Sequence, residues 1–90
     1  MAQVFFDIKV NRNRIDMYGD LRLQSLDSLT STLYQIAVKA RYPDVVLDMS
    51  NLSSITDSVV PPVAAYLRYL TQQYKVDYSL VMPRNQKFTK

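Results

Sequence analysis

Between Asp44 and Asp48 runs Val45-Val46-Leu47, a short uninterrupted apolar segment framed by two carboxylates. It is too short for a helix and rich in β-branched residues, so it predicts a strand buried on both faces. Helical periodicity stands on either side of it. From about Ser28 to Arg41, Leu29, Leu33, Ile36 and Ala40 recur at three- and four-residue spacing, with Leu26 in register; from about Val59 to Lys75, Val60, Val63, Ala64, Leu67, Leu70 and Tyr74 do the same. A buried strand between two amphipathic helices is entered and left by crossover connections, which makes it central and parallel to its neighbours.

The flanking segments complete the sheet. Val4, Phe6, Ile8 and Val10 alternate with Phe5, Asp7 and Lys9, the signature of a half-buried strand. Asn11-Arg12-Asn13-Arg14 reads as a hairpin loop, because asparagine tolerates left-handed backbone angles, and Ile15-Asp16-Met17-Tyr18 resumes the alternation as an antiparallel partner. Gly19, the only glycine, is expected to end that strand, with Ser25, Asp27 and Ser28 available to cap the first helix. Tyr42-Pro43 stops this helix, and Pro61 and Pro62 fix the start of the second, where first-turn amides have no intrahelical acceptor. Val76 to Met82 is the last strand, ended by Pro83. The prediction is one α/β domain over 1–90, with a core from about 4 to 82 and a polar tail over 83–90. Its order is ββαβαβ, a mixed four-stranded sheet with the first strand antiparallel and the helices mainly on one face. The less covered second face leaves room for a partner.

Composition removes several function classes. The chain has no cysteine and no histidine, which eliminates thiolate chemistry, the commonest metal ligand and the commonest general base. There is no glycine-rich phosphate loop, and Asp20, Asp48 and Asp57 sit in no metal-loop motif. The expectation is a non-enzymatic protein with no cofactor and no metal. No run approaches the ~18 apolar residues of a membrane span, and Met1-Ala2-Gln3-Val4 opens no secretory leader, so no membrane insertion and a cytoplasmic location are expected. The net charge of +3 does not form a nucleic-acid footprint: Arg12 and Arg14 lie in a turn, Lys39 and Arg41 at a helix end, and Arg84, Lys87 and Lys90 in the tail.

What remains is the polar stretch from Asp48 to Pro62, expected to be a loop up to Asp57 that leads from the buried strand into the second helix. Asp57-Ser58 at the helix start has two compatible readings. One of the pair is an N-cap, its side-chain oxygen accepting an orphan amide; or Ser58 is a phosphorylation acceptor, placing a dianion where the helix dipole tolerates it. At helical spacing Ser58, Pro62, Ala65 and Tyr69 fall opposite the core stripe, with Tyr66 and Gln73 beside them. Exposed tyrosines next to a phosphosite are what an interface core often contains.

Gly19-Asp20-Leu21 after a strand, then Val45-Val46-Leu47-Asp48-Met49-Ser50-Asn51-Leu52, then Ile55-Thr56-Asp57-Ser58 before an apolar helix, resembles the STAS domain family (sulfate transporter and anti-sigma-factor antagonist) over about Val4 to Met82. The resemblance implies a protein-binding switch. The unphosphorylated domain would dock through Pro62, Tyr66 and Tyr69 on a serine kinase of the anti-sigma-factor kind. Phosphorylation of Ser58 would release it, a serine phosphatase would reset it, and Asp48, Thr56 and Asp57 would form the switch loop. The alternative is a phosphorylation-independent STAS scaffold or transporter-accessory adaptor, with a second copy of the chain as a further candidate partner. Three departures from the family pattern are visible. Val59 and Val60 stand where a hydroxyl residue and a glycine commonly follow the serine; an ungapped alignment puts Thr56 at the aspartate position; and the family's final helix would lie beyond Lys90.

Overall fold

A computed structural model describes residues 5–83 and the backbone of 88–89. Strands β1 (Phe6–Asn11) and β2 (Arg14–Leu21) form the antiparallel hairpin, followed by helix α1 (Leu26–Tyr34), strand β3 (Asp44–Thr56), helix α2 (Val60–Tyr74), strand β4 (Asp77–Val81) and a short β5 (Phe88–Thr89). The sheet order is β1-β2-β3-β4, with β2, β3 and β4 mutually parallel. The expected mixed four-stranded sheet and its ββαβαβ order are therefore present. β5 joins the same edge of β3 as β4 but farther along, pairing Ile55 with Phe88 and Thr56 with Thr89. That pairing lies within the expected polar tail, the rest of which, except Pro83, falls outside the described residues.

Both crossovers step in the same direction across the sheet, so α1 and α2 lie on one face and seal one core. Ile15, Met17 and Leu21 of β2, Val45 and Leu47 of β3, Leu29 and Leu33 of α1, and Leu67 and Leu70 of α2 meet there, all buried. Two expected core positions are displaced by local helix geometry. The first helix widens into a π turn over Gln35–Lys39, which brings Ala37 into the core and leaves Ala40 exposed. The second begins with a tight 3-10 turn, Asp57–Val59, so Val59 is fully buried while Val60 is exposed. Tyr74, on the last turn of α2, is also exposed.

Three sequence expectations about the hairpin and β3 are corrected. The left-handed residue of the β1–β2 turn is Arg12, at φ 57°, and not an asparagine. Asn13 instead ties the turn to the third strand: its carbonyl accepts from the Val46 amide at 2.9 Å, and its side-chain amide donates to the Asp44 carbonyl at 3.2 Å. Gly19 does not end β2 but lies within it, paired with Phe6, at φ +90°. A Cβ there would lie 2.2 Å from the Phe5 carbonyl oxygen, which accepts the Asp20 amide at 2.7 Å. The third correction is the largest, because the expected loop after Asp48 is strand as far as Thr56.

The cause is visible in the register. From Arg14↔Val46 to Leu21↔Ile55 the pairing advances seven residues along β2 and nine along β3, the surplus entering between Asp48 and Asn51 and between Leu52 and Ser54. Each extra residue is a bulge, uncommon in a parallel pair. Val45, Leu47 and Met49 point inward with period two, but the next buried residues, Leu52 and Ile55, each come three positions later. The alternation that identifies a strand is thereby erased.

Gly19→Ala should destabilise the fold by about 1–3 kcal/mol or more, since the backbone angle is unfavourable for a side chain and the obstructing atom is main chain. Urea unfolding with an unchanged m value and a lowered midpoint checks this.

Candidate functional site

The sheet face away from the helices carries the polar side chains of β2 and β3. Asp16 lies opposite Asp48 in the parallel ladder, and two adjacent carboxylates would repel each other without a cation. Arg14 supplies it. Its guanidinium bonds Asp16 through Nε at 3.0 Å and Asp48 Oδ2 through Nη2. The other Asp48 oxygen accepts from the Ser50 amide at 2.9 Å and the Ser50 hydroxyl at 2.5 Å. The Ser50 hydroxyl is the largest influence holding the Asp48 carboxyl below its usual range, with its amide and the Arg14 charge acting the same way against the opposing effect of burial. Farther along, Ser54 Oγ donates to Asp20 Oδ1 at 2.7 Å, and Lys9 Nζ stands 5.4 Å from the centre of the Tyr18 ring.

Asp48 is thus a fully partnered strand residue, only 6% exposed, and not part of a loop. Its bonds to Ser50 run forward along β3 across the first bulge and bridge the surplus residue. Sequence reasoning missed Arg14, which it placed in a turn. The signal was present: Arg14 continues the outward phase of Asp16 and Tyr18, so it shares a face with Val46 and Asp48 once β2 and β3 are neighbours.

The other expected site residues gather at the far end of β3. Asp48 pairs with Asp16 and Ile55 with Leu21, so Asp48 and Thr56 stand roughly 20 Å apart at ordinary strand rise along β2. The expected switch loop is therefore two places, one at the Arg14 clasp and one at the β3–α2 junction. At the junction, Thr56 is the extended residue before the 3-10 turn, at φ −81° and ψ 132°, and Asp57 is half-buried. Ser58 is exposed. The N-cap expectation for Asp57 or Ser58 is corrected: the cap positions are Thr56 for the turn and Val59 for α2, neither with a side-chain cap bond. The Val60 amide is instead satisfied by the Asp57 carbonyl, and Pro61 and Pro62 have no amide to satisfy.

Along α2, Pro62, Ala65 and Tyr69 are exposed and Tyr66 is half-buried, as the spacing predicts. Tyr66 and Tyr69 stack at 5.7 Å between ring centres with a 37° tilt, and Tyr69 meets Tyr74 edge-on at 6.0 Å. Burial, followed by the neighbouring Tyr69 and Tyr34, pushes the Tyr66 hydroxyl's ionisation upward. The three aromatic rings form one continuous surface that starts about 12 Å along the helix from Ser58 at 1.5 Å per residue.

Among the described residues no group of three or more potential ligating side chains could hold a metal ion, and no helix is long and apolar enough to cross a membrane.

Because the folded-state pKa of Asp48 lies below its unfolded value, its contribution to stability is complete above about pH 4 and is lost as pH falls through the folded value. Asp48→Ala should lower stability by about 2 kcal/mol at pH 7. The deficit should shrink steadily below pH 4. Denaturant titrations of both proteins between pH 2.5 and 7 measure the difference directly.

No protein-family model matches this sequence, and neither does any curated protein. Among solved structures, the crystal structure of Mglu matches with a TM-score of 0.63 at 18% identity, covering 90% of this chain and 20% of that one. The chain thus spans about a fifth of Mglu, and at this identity the likeness establishes a shared α/β fold.

Proposed function

We propose that this protein is a protein-binding switch of the STAS, anti-sigma-factor-antagonist kind, acting in the cytoplasm on a kinase-like partner. The observation that carries the reading is the exposed Ser58 at the head of α2, about two turns before the Tyr66–Tyr69 pair. In the unphosphorylated protein, Pro62, Tyr66 and Tyr69 form the contact surface. A serine kinase partner modifies Ser58 and a serine phosphatase restores it.

Charge is the physical means of release. A phosphate adds about −1.5 to −2 charges. At many helix starts the first-turn amides would clasp such a group. Here Pro61 and Pro62 remove two of those donors, and the half-buried Asp57 carboxylate adjoins the serine. The phosphate stays on the surface as an uncompensated charge that opposes an apolar, aromatic contact. Unfolding is not required.

The adaptor alternative also has an observation in its favour. Val59 is fully buried, so the turn bearing Ser58 is pinned to the core without the glycine that would let it open for a kinase. On that reading the tyrosine face binds its partner permanently.

Incubation with a cognate serine kinase and ATP should add one phosphate, absent from Ser58→Ala, by intact-mass measurement. Phosphate elsewhere, or none with a kinase proven to bind, leaves only the adaptor. Tyr69→Ala should weaken the partner about tenfold or more under either reading. Ser58→Asp should weaken it only if charge is the switch, which titration calorimetry resolves.

A further inference from the structure

The two edges of the sheet are not alike. β1 carries Asp7 and Lys9 in its middle, the charged side chains that discourage pairing with another chain. β4, the opposite edge, reads Asp-Tyr-Ser-Leu-Val, with its one charge at the first position and neither proline nor bulge within it. All five residues are exposed, including Tyr78 at 44% and Leu80 at 47%. Tyr78 and Leu80 form one wall of an open apolar cavity of about 180 Å³ whose opposite side is α2, with the exposed Val60 also in its lining.

The backbone specifies what such an edge pairs with. The Asp77 amide donates to the Pro43 carbonyl, so the polar groups of Asp77, and by alternation those of Ser79 and Val81, face β3. Those of Tyr78 and Leu80 consequently face outward. If a second copy approaches antiparallel about a twofold axis at Ser79, Tyr78 of each chain lies opposite Leu80 of the other. Both are outward-facing, so each pair exchanges two backbone hydrogen bonds and every outward group within β4 is satisfied. Shifting the axis by one residue either way spends outward groups on Val76 or Met82, outside the strand.

The side chains agree with this register. Tyr78 meets Leu80 on the helix-covered face, an aromatic–aliphatic pair formed twice. On the other face Asp77 meets Val81, so no like charges oppose each other. At the axis, where non-hydrogen-bonded Cα atoms approach to about 4.5 Å, the residue is the small Ser79.

We infer that β4 is an isologous dimerisation edge, through which two copies of this chain form one continuous sheet centred on Ser79. The inference is independent of Ser58 and of the tyrosine face, which lies on the outer side of α2.

Sedimentation equilibrium should give a mass rising with concentration from 10.4 kDa toward twice that value. Ser79→Lys places like charges at the axis without touching the core, and should keep the protein monomeric with unchanged circular dichroism. Because the chain has no cysteine, Ser79→Cys introduces a single thiol, at a separation a disulfide spans. Mild oxidation should convert it to a covalent dimer, whereas Gln72→Cys on the exposed side of α2 should remain monomeric. A monomer at every concentration, or a dimer indifferent to Ser79→Lys, overturns the inference.

Discussion

The parallel ladder between β2 and β3 is the interaction on which everything else in this fold rests. It holds the most deeply buried side chains of the sheet, Ile15, Met17, Val45 and Leu47, and it joins the hairpin to the rest of the sheet through main-chain bonds. The ladder survives a mismatch of two residues because β3 absorbs them as bulges. What stabilises the first bulge is electrostatic as well as steric. Asp48 reaches forward to Ser50 across it and sideways to Arg14 on β2, so one buried carboxylate fastens the irregular strand to its regular neighbour. A buried carboxylate is tolerated only when its oxygens are occupied, and here both are.

The bulges also shape the far edge of β3. β4 pairs with Asp44 to Asp48 and stops at the first surplus residue, and β5 resumes beside Ile55 and Thr56 after the second. The outer edge of the sheet is thereby divided, leaving a five-residue strand with regular geometry and exposed apolar side chains. At the other end of β3 the strand passes directly into a 3-10 turn and then α2. The buried Val59 sets the rotation of that helix, and with it the presentation of Ser58 and the tyrosines to solvent.

Segments whose hydrophobic period is undisturbed were legible from the residues alone. The hairpin, both helices, the central placement of Val45-Val46-Leu47, the parallel crossovers and the exposed face of α2 follow from periodicity and connection rules. The proposed functional surface was legible for the same reason, since Ser58, Pro62 and Tyr69 recur at helical spacing on a helix two prolines start. Asp48 to Thr56 was not, because two bulges change the spacing of inward residues from two to three and make a strand resemble a polar loop. Gly19 misled in the opposite sense: glycine commonly ends strands, and here it admits the Phe5 backbone within one.

Local sequence by itself determined the kinds of elements, their order and which sides are apolar, because these depend on side-chain period and on backbone preferences within a few residues. Only the tertiary structure decided that Asp48 belongs to a clasp with Arg14, 34 residues earlier, and not to a switch loop with Thr56 and Asp57. It likewise decided that β4 lies at the outer end of the sheet with apolar side chains exposed. Both outcomes depend on register between strands distant in the chain, and register is set by how the buried side chains of β2 and β3 fit together, which no local pattern contains.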